Sequence, residues 1–100
     1  MTATSKIEPI HPGEILMKDF IEGFGIMQNK LAVSISVPPR RIKEIVHGKR
    51  AITADTALRL GRYFAVDPQF WLNLQTRYDL ELAQDRVAEQ VAAIKPLKVA

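Results

Sequence analysis

Val37-Pro38-Pro39-Arg40-Arg41-Ile42-Lys43-Glu44-Ile45-Val46-His47-Gly48 opens on two prolines and closes on a glycine. Proline in the first turn of a helix gives up an amide that has no internal partner anyway, and glycine is favoured just past the last turn. The stretch therefore reads as a helix of about ten residues. A helix this short is marginal alone, so Ile42, Ile45 and Val46 must hold it against other elements. Advancing about 100° per residue from that apolar side, Arg40, Glu44 and His47 face away, with Lys43 and Arg41 on the flanks.

Charge gathers at the same place. From Arg40 to Arg50 the cations Arg40, Arg41, Lys43, Lys49 and Arg50 stand against Glu44 alone. From Phe64 to Ile94 the balance reverses, with Asp67, Asp79, Glu81, Asp85 and Glu89 against Arg77 and Arg86. A basic block in a folded segment suits a polyanion, although a solvated basic face has the same composition. A helix that enters a major groove needs outward side chains to read base edges and flanking cations to meet phosphates. Arginine suits the reading role because its planar fork can take guanine N7 and O6 together. Lys49 and Arg50, just past the helix, are placed to neutralise backbone phosphates.

Working outward, the preceding segment reads as a short helix from about Gln28 to Ser34, with Leu31, Ala32 and Ile35 apolar. Met27 falls at its N-cap, where it cannot accept a hydrogen bond. The turn Ile35-Ser36-Val37 joins the two helices, and small Ala32 with inward Ile42 and Ile45 allows them to cross closely, as in a helix-turn-helix. An ordinary helical hairpin with a polar outer face shows the same pattern.

Further upstream, Pro12 starts a first helix. Ile10 and Ile15 stand at staple positions, His11 stands at the N-cap, and Leu16, Phe20 and Phe24 recur every four residues. Ile15, Met17 and Ile21 widen that stripe, and Gly23 and Gly25 end it. Downstream, Thr53 caps a fourth helix with Asp55 in its first turn and Ala57, Leu58, Leu60, Gly61 and Phe64 on its inner side. Asp67-Pro68 begins a fifth, with Val66 and Trp71 as a staple. Phe70, Trp71, Leu74 and Tyr78 form its first stripe, which suits core packing. Asn73 and Gln75 lie on another side and are placed to tie down a loop by hydrogen bonds. Leu80, Val87, Val91 and Ile94 form a sparser second stripe.

The chain has 100 residues, 47% apolar and 25% charged, with a net charge of +3, a balance that fits one ordinary globular domain. Strand signals and internal repeats are lacking, so the expected class is all-α. No cysteine is present, which excludes disulfides, cysteine-ligated zinc and thiol catalysis, and fits a reducing cytoplasm. No apolar run approaches the length of a membrane span, and Met1 to Ile10 lacks the apolar core of a secretory signal. No Gly-rich phosphate loop, nucleophile elbow or HExxH motif occurs, and Ser34, Ser36 and Asp55 have no evident histidine partner. With only His11 and His47 and no cysteine, no metal site is expected. The reading is a non-enzyme without a cofactor.

The blocks His11-Pro12-Gly13-Glu14-Ile15-Leu16, Val37-Pro38-Pro39-Arg40-Arg41-Ile42, Gly48-Lys49-Arg50, Ile52-Thr53-Ala54-Asp55-Thr56-Ala57-Leu58-Arg59-Leu60, Phe70-Trp71-Leu72-Asn73-Leu74-Gln75 and Tyr78-Asp79-Leu80 resemble, in order, the HigA family of antitoxins. That family sits in the phage-repressor-like (XRE) helix-turn-helix group. The resemblance, over roughly residues 10 to 82, implies a five-helix lambda-repressor-like DNA-binding domain and a homodimer on a palindromic operator that represses its own operon. It also implies a cognate HigB-like toxin, an mRNA-cleaving endoribonuclease of the RelE type. Carried over residue by residue, the group's DNA contacts fall on Gln28, Pro39, Arg40, Arg41, Lys43 and Glu44. Ser36 stands where the group usually has glycine, and a non-glycine residue at positive φ costs about 1–2 kcal/mol. Met27 replaces a common capping serine.

The expected organisation is an N-terminal tail over 1–10, the DNA-binding domain over 11–82, and a helical extension and tail over 83–100. The thin apolar stripe from Leu80 onward has three readings: a dimer helix through Leu80, Ala83 and Val87, an acidic toxin-binding element, or a segment frayed beyond about Ala88. The dimer reading is preferred for Leu80 to Val87. The tail Met1 to Ile10 is a second candidate for toxin contact. A transcription regulator without any toxin would carry the same DNA-binding residues.

Overall fold

The computed structural model describes residues 8–98. Among them are α1 (Pro12–Ile15), a π-helical continuation over Leu16–Glu22, α2 (Gln28–Ser34), α3 (Pro39–Val46), α4 (Ala54–Phe64) and α5 (Pro68–Ala92). No strand occurs among the described residues. The all-α, five-helix reading holds. Of the expected tail over 1–10, residues 1–7 lie outside the described residues.

Local signals set most boundaries. His11 Nδ1 accepts the amide of Gly13 at 2.9 Å, so His11 is the N-cap of α1. Thr53 and Asp67 cap α4 and α5, accepting from the amides of Thr56 and Gln69. Met27 makes no side-chain cap bond, as expected of methionine.

The helix ends share one device. In each of four places an amide bonds back to the carbonyl five residues earlier: Ile26 to Ile21, Val37 to Ala32, Lys49 to Glu44, and Val66 to Gly61. The residue before each of these amides lies at positive φ: Gly25, Ser36, Gly48 and Ala65. This is the Schellman ending, which satisfies carbonyls that the helix leaves open. Ser36 adopts φ 60° without being glycine, as the turn requires. Arg59 supports it from α4 by donating to the carbonyls of Ile35 at 2.8 Å and Ser36 at 3.3 Å.

The core gathers Leu16, Ile21, Leu31, Ala32, Ile42, Ile45, Ile52, Ala57, Leu60 and Trp71. Ala32 is fully buried where α2 meets α3, the close crossing expected of a small residue. Trp71 carries the aromatic half of the core. Its ring centroid is 4.7 Å from Phe20 and 5.1 Å from Phe70, both edge-to-face. Gln75 fulfils the expected tie: its Oε1 accepts the buried amide of Ile52 at 2.8 Å. Asn73 instead accepts from Gln69 on the exposed side of the same helix.

Two details depart from expectation, and one open reading is narrowed. The segment after Ile15 is wound as a π-helix, so the buried pair is Leu16 and Ile21, five residues apart, and Phe24 lies largely in solvent. The wider turn breaks the four-residue register of Leu16, Phe20 and Phe24. Leu58 is 62% exposed, because Ala57, Leu60, Gly61 and Phe64 follow the i, i+3, i+4, i+7 stripe and Leu58 falls about 100° off it. The fifth helix does not fray at Ala88. It continues to Ala92, with a local break at Val87 (φ −118°, ψ 20°). The radius of gyration, 17.2 Å, exceeds the roughly 13 Å of a compact chain of this length, since the end of α5 carries exposed residues away from the core. No helix of the described residues is long and apolar enough to cross a membrane.

Candidate nucleic-acid interface

The outward face of α3 follows from what its inner face must do. Ile42 and Ile45 are fully buried, and Val46 packs beside them. Helical periodicity then turns Arg40 and Lys43 outward, with Glu44 partly behind them and His47 at the end. Pro38, in an extended conformation, and Pro39, in the first turn, start the helix, and both are exposed. At its C-terminus Gly48 adopts φ 75°, so Lys49 folds back beside the last turn.

A shallow groove forms between the start of α2 and this face. Gln28, Pro39, Arg40, Lys43, Glu44 and Lys49 line it, as do Asn29 and His47. Six of the eight expected DNA-contact residues are thus brought together. The other two, Arg41 and Arg50, are held by carboxylates, Arg41 away from the groove by Asp55 and Arg50 at its edge by Glu44. Arg41 Nη1 bonds Asp55 Oδ1 at 3.1 Å, and its side chain is only 29% exposed. Arg50 bonds Glu44 Oε1 through Nη2 at 2.7 Å and Nε at 2.8 Å. Asn29 was missed by sequence reasoning, although its place beside Gln28 in the first turn of α2 was visible.

Two carboxylates each hold two arginines. Glu44 accepts Arg40 Nε at 2.9 Å as well as Arg50. Hydrogen bonds from Arg50 and then Arg40 keep its carboxyl below the usual range. Asp55 accepts Arg59 Nε at 2.7 Å as well as Arg41, and is lowered first by Arg59. Arg40 itself projects, with a side chain 83% exposed. Among the described residues Lys43 and Lys49 show no carboxylate partner. The face therefore presents an extended arginine flanked by two unpaired lysines, an arrangement suited to one base edge and two phosphate walls.

His11 joins α1, α5 and the loop after α3. Its ring lies edge-on to Tyr78 at 4.9 Å, and a Cβ on Gly48 would meet it at 3.8 Å. Burial lowers its pKa, outweighing Asp79, the Arg50 main chain and Glu14, which raise it. Since the folded value is below the unfolded one, near 6.5, this contribution is complete above about pH 6.5 and is lost as pH falls through the folded value. The melting temperature should therefore drop more between pH 7 and 5 in the wild type than in His11→Asn, which keeps a capping oxygen. Equal drops would contradict the role assigned to His11. His47, by contrast, lies exposed, its Nδ1 2.7 Å from the carbonyl of Lys43.

No group of three or more His, Cys, Asp or Glu side chains among the described residues is arranged to hold a metal ion.

The chain has relatives among known proteins. No family model matches it. It is 51% identical over 80 residues to virulence-associated protein I of Dichelobacter nodosus, covering 80% of this chain and 74% of that protein. It is 33% identical over 95 residues to antitoxin HigA-1 of Vibrio cholerae, covering 95% of this chain and 90% of that one. Among solved structures, the Pseudomonas aeruginosa antitoxin HigA with the higBA promoter superposes with a TM-score of 0.86 at 44% identity, covering 90% of this chain and 99% of the other.

Proposed function

This chain belongs to the HigA family of helix-turn-helix antitoxins, and on that premise we propose that it binds its own promoter as a homodimer and represses its operon. The observation that carries the reading is the convergence of Gln28 and Asn29 from α2 with Arg40, Lys43 and Lys49 on one outward face. Two copies of α3 would enter successive major grooves, with half-site centres about 34 Å, or a multiple, apart. Arg40 reads a base edge. Lys43, Lys49 and the amides at the start of α2 set register on phosphates. Arg41 and Arg50 reach the duplex only on leaving Asp55 and Glu44.

The dimer contact is assigned to the second stripe of α5. Leu80 is 57% exposed, Val87 is also exposed, and Ala83 is half-buried, so among the described residues much of the stripe's apolar surface is left open. A dimeric mass in solution that is unchanged on deleting residues 84–100 would remove that assignment. The antitoxin role is stoichiometric binding of a HigB-like ribonuclease of the RelE type, with no chemistry performed by this chain. The same organisation divides the chain into a DNA-binding domain over 11–82 and an extension beyond it.

Binding to a duplex from upstream of the gene, across a salt series, tests the function. Arg40→Ala should lose about 1–3 kcal/mol on that duplex and relax preference at one base pair. Lys49→Ala should weaken binding to all sequences and flatten the salt slope by about one unit. Equal loss on promoter and scrambled DNA for Arg40→Ala contradicts base reading. Co-purification with the product of a small neighbouring gene supports the toxin partner. A chain that binds the promoter but captures no such product is a regulator alone.

A further inference from the structure

We infer that Glu44 is a specificity-determining residue that acts through Arg40 and Arg50 and does not itself read a base. The inference rests on the DNA-binding function proposed above and refines it.

Both oxygens of Glu44 are engaged. Oε2 accepts Arg40 Nε at 2.9 Å, and Oε1 accepts Arg50 Nε at 2.8 Å and Nη2 at 2.7 Å. A carboxylate has about four acceptor positions, and three are filled before any nucleic acid arrives. Reach also argues against a reading role. The Glu44 side chain is 26% exposed and that of Arg40 83%, so the arginine extends past the carboxylate. A base edge on this face would meet Arg40 first.

Each bond has its own consequence. Because Arg40 is held through Nε, both terminal nitrogens remain for an acceptor pair such as guanine N7 and O6, and one bond orients the guanidinium before contact. Pre-orientation favours the sequence that presents this pair and gives nothing to one that does not. Arg50, in contrast, is chelated by a single oxygen, which cancels its charge at the edge of the groove. A phosphate can recruit Arg50 only by displacing Glu44, so the general attraction to any duplex is lowered. Both effects widen the gap between the correct site and other DNA.

Glu44→Gln keeps the shape of the side chain and removes its charge. The experiment measures affinity for the upstream duplex and for a scrambled duplex of equal composition over a salt series. It uses the full-length wild type, Glu44→Gln, Arg50→Gln and the double variant, each checked by thermal melting. Glu44→Gln should bind the scrambled duplex more tightly, steepen its salt slope by about 0.9, and reduce the preference for the upstream duplex about tenfold. Arg50→Gln alone should leave the scrambled slope near that of the wild type, and the added slope should be absent from the double variant. The inference is overturned if Glu44→Gln leaves scrambled binding and slope unchanged while upstream affinity falls, which is the signature of direct base reading. It is equally overturned if the added slope survives in the Arg50→Gln background, or if Arg50→Gln alone flattens the slope by a full unit. A wild type that binds the two duplexes equally contradicts the promoter-binding function itself.

Discussion

Gly13→Ala should destabilise the protein by about 3 kcal/mol and lower its melting temperature by about 10–20 °C. Gly13 is buried where α1 crosses the end of α3. A Cβ there would stand 1.8 Å from the carbonyl oxygen of Ile45, 2.6 Å from its carbon and 3.0 Å from Val46 Cα. All three are main-chain atoms, so no rotamer change relieves the overlap. The two helices must separate, and the one that moves carries Arg40 and Lys43. Thermal melting checks the stability effect. Promoter binding below the melting transition should also weaken, because α3 no longer sits at its original angle. A melting temperature within 2 °C of the wild type would contradict this packing.

Trp71→Ala should cost about 3–5 kcal/mol, comparable with the whole stability of a small domain. The ring is fully buried and meets Phe20, Phe64 and Phe70. Removing it leaves a cavity between the π-helical segment and α5 that backbone atoms on both sides cannot close. Its indole Nε1 has no hydrogen-bond partner among the described residues. Trp71→Phe should therefore cost distinctly less, since it loses volume without losing a bond. Urea unfolding followed by circular dichroism separates the two variants, as Trp71 is the sole tryptophan and tryptophan fluorescence disappears with it. Equal losses for alanine and phenylalanine would show that the indole N–H, and not ring packing, sets the cost.

Much of the fold is legible because its signals are local. A cap acts within three residues, as Asp67 does on Gln69, and a proline pair fixes a helix start on its own. Burial of Ile42 and Ile45 follows from periodicity alone and places Arg40 outward. The π-helical winding after Ile15 is different, since it depends on packing around Leu16 and Ile21 and leaves no mark in an apolar pattern that an α-helix also fits. Ala65 in the left-handed region was equally hidden, because alanine carries no turn signal.

Which residues line the groove was mostly legible, but their wiring was not. The pair Arg40–Glu44 could be read from i, i+4 spacing. The bond from Arg50 to Glu44 requires Gly48 to reverse the chain, and that from Arg59 to Ile35 spans 24 residues. For the same reason Arg41, counted among the DNA contacts, turns out to be held by Asp55 from a different helix. Close approach at Gly13 is likewise a long-range fact, visible only once α1 lies on α3.

Amide chemical-shift changes on titrating the full-length protein with its upstream duplex test the central claim most directly. The largest changes should fall on Gln28, Asn29, Arg40, Lys43 and Lys49, with the side-chain Nε–H of Arg40 shifting on the upstream duplex and not on a scrambled one. Changes centred on α4 or α5, with α3 unmoved, would contradict it.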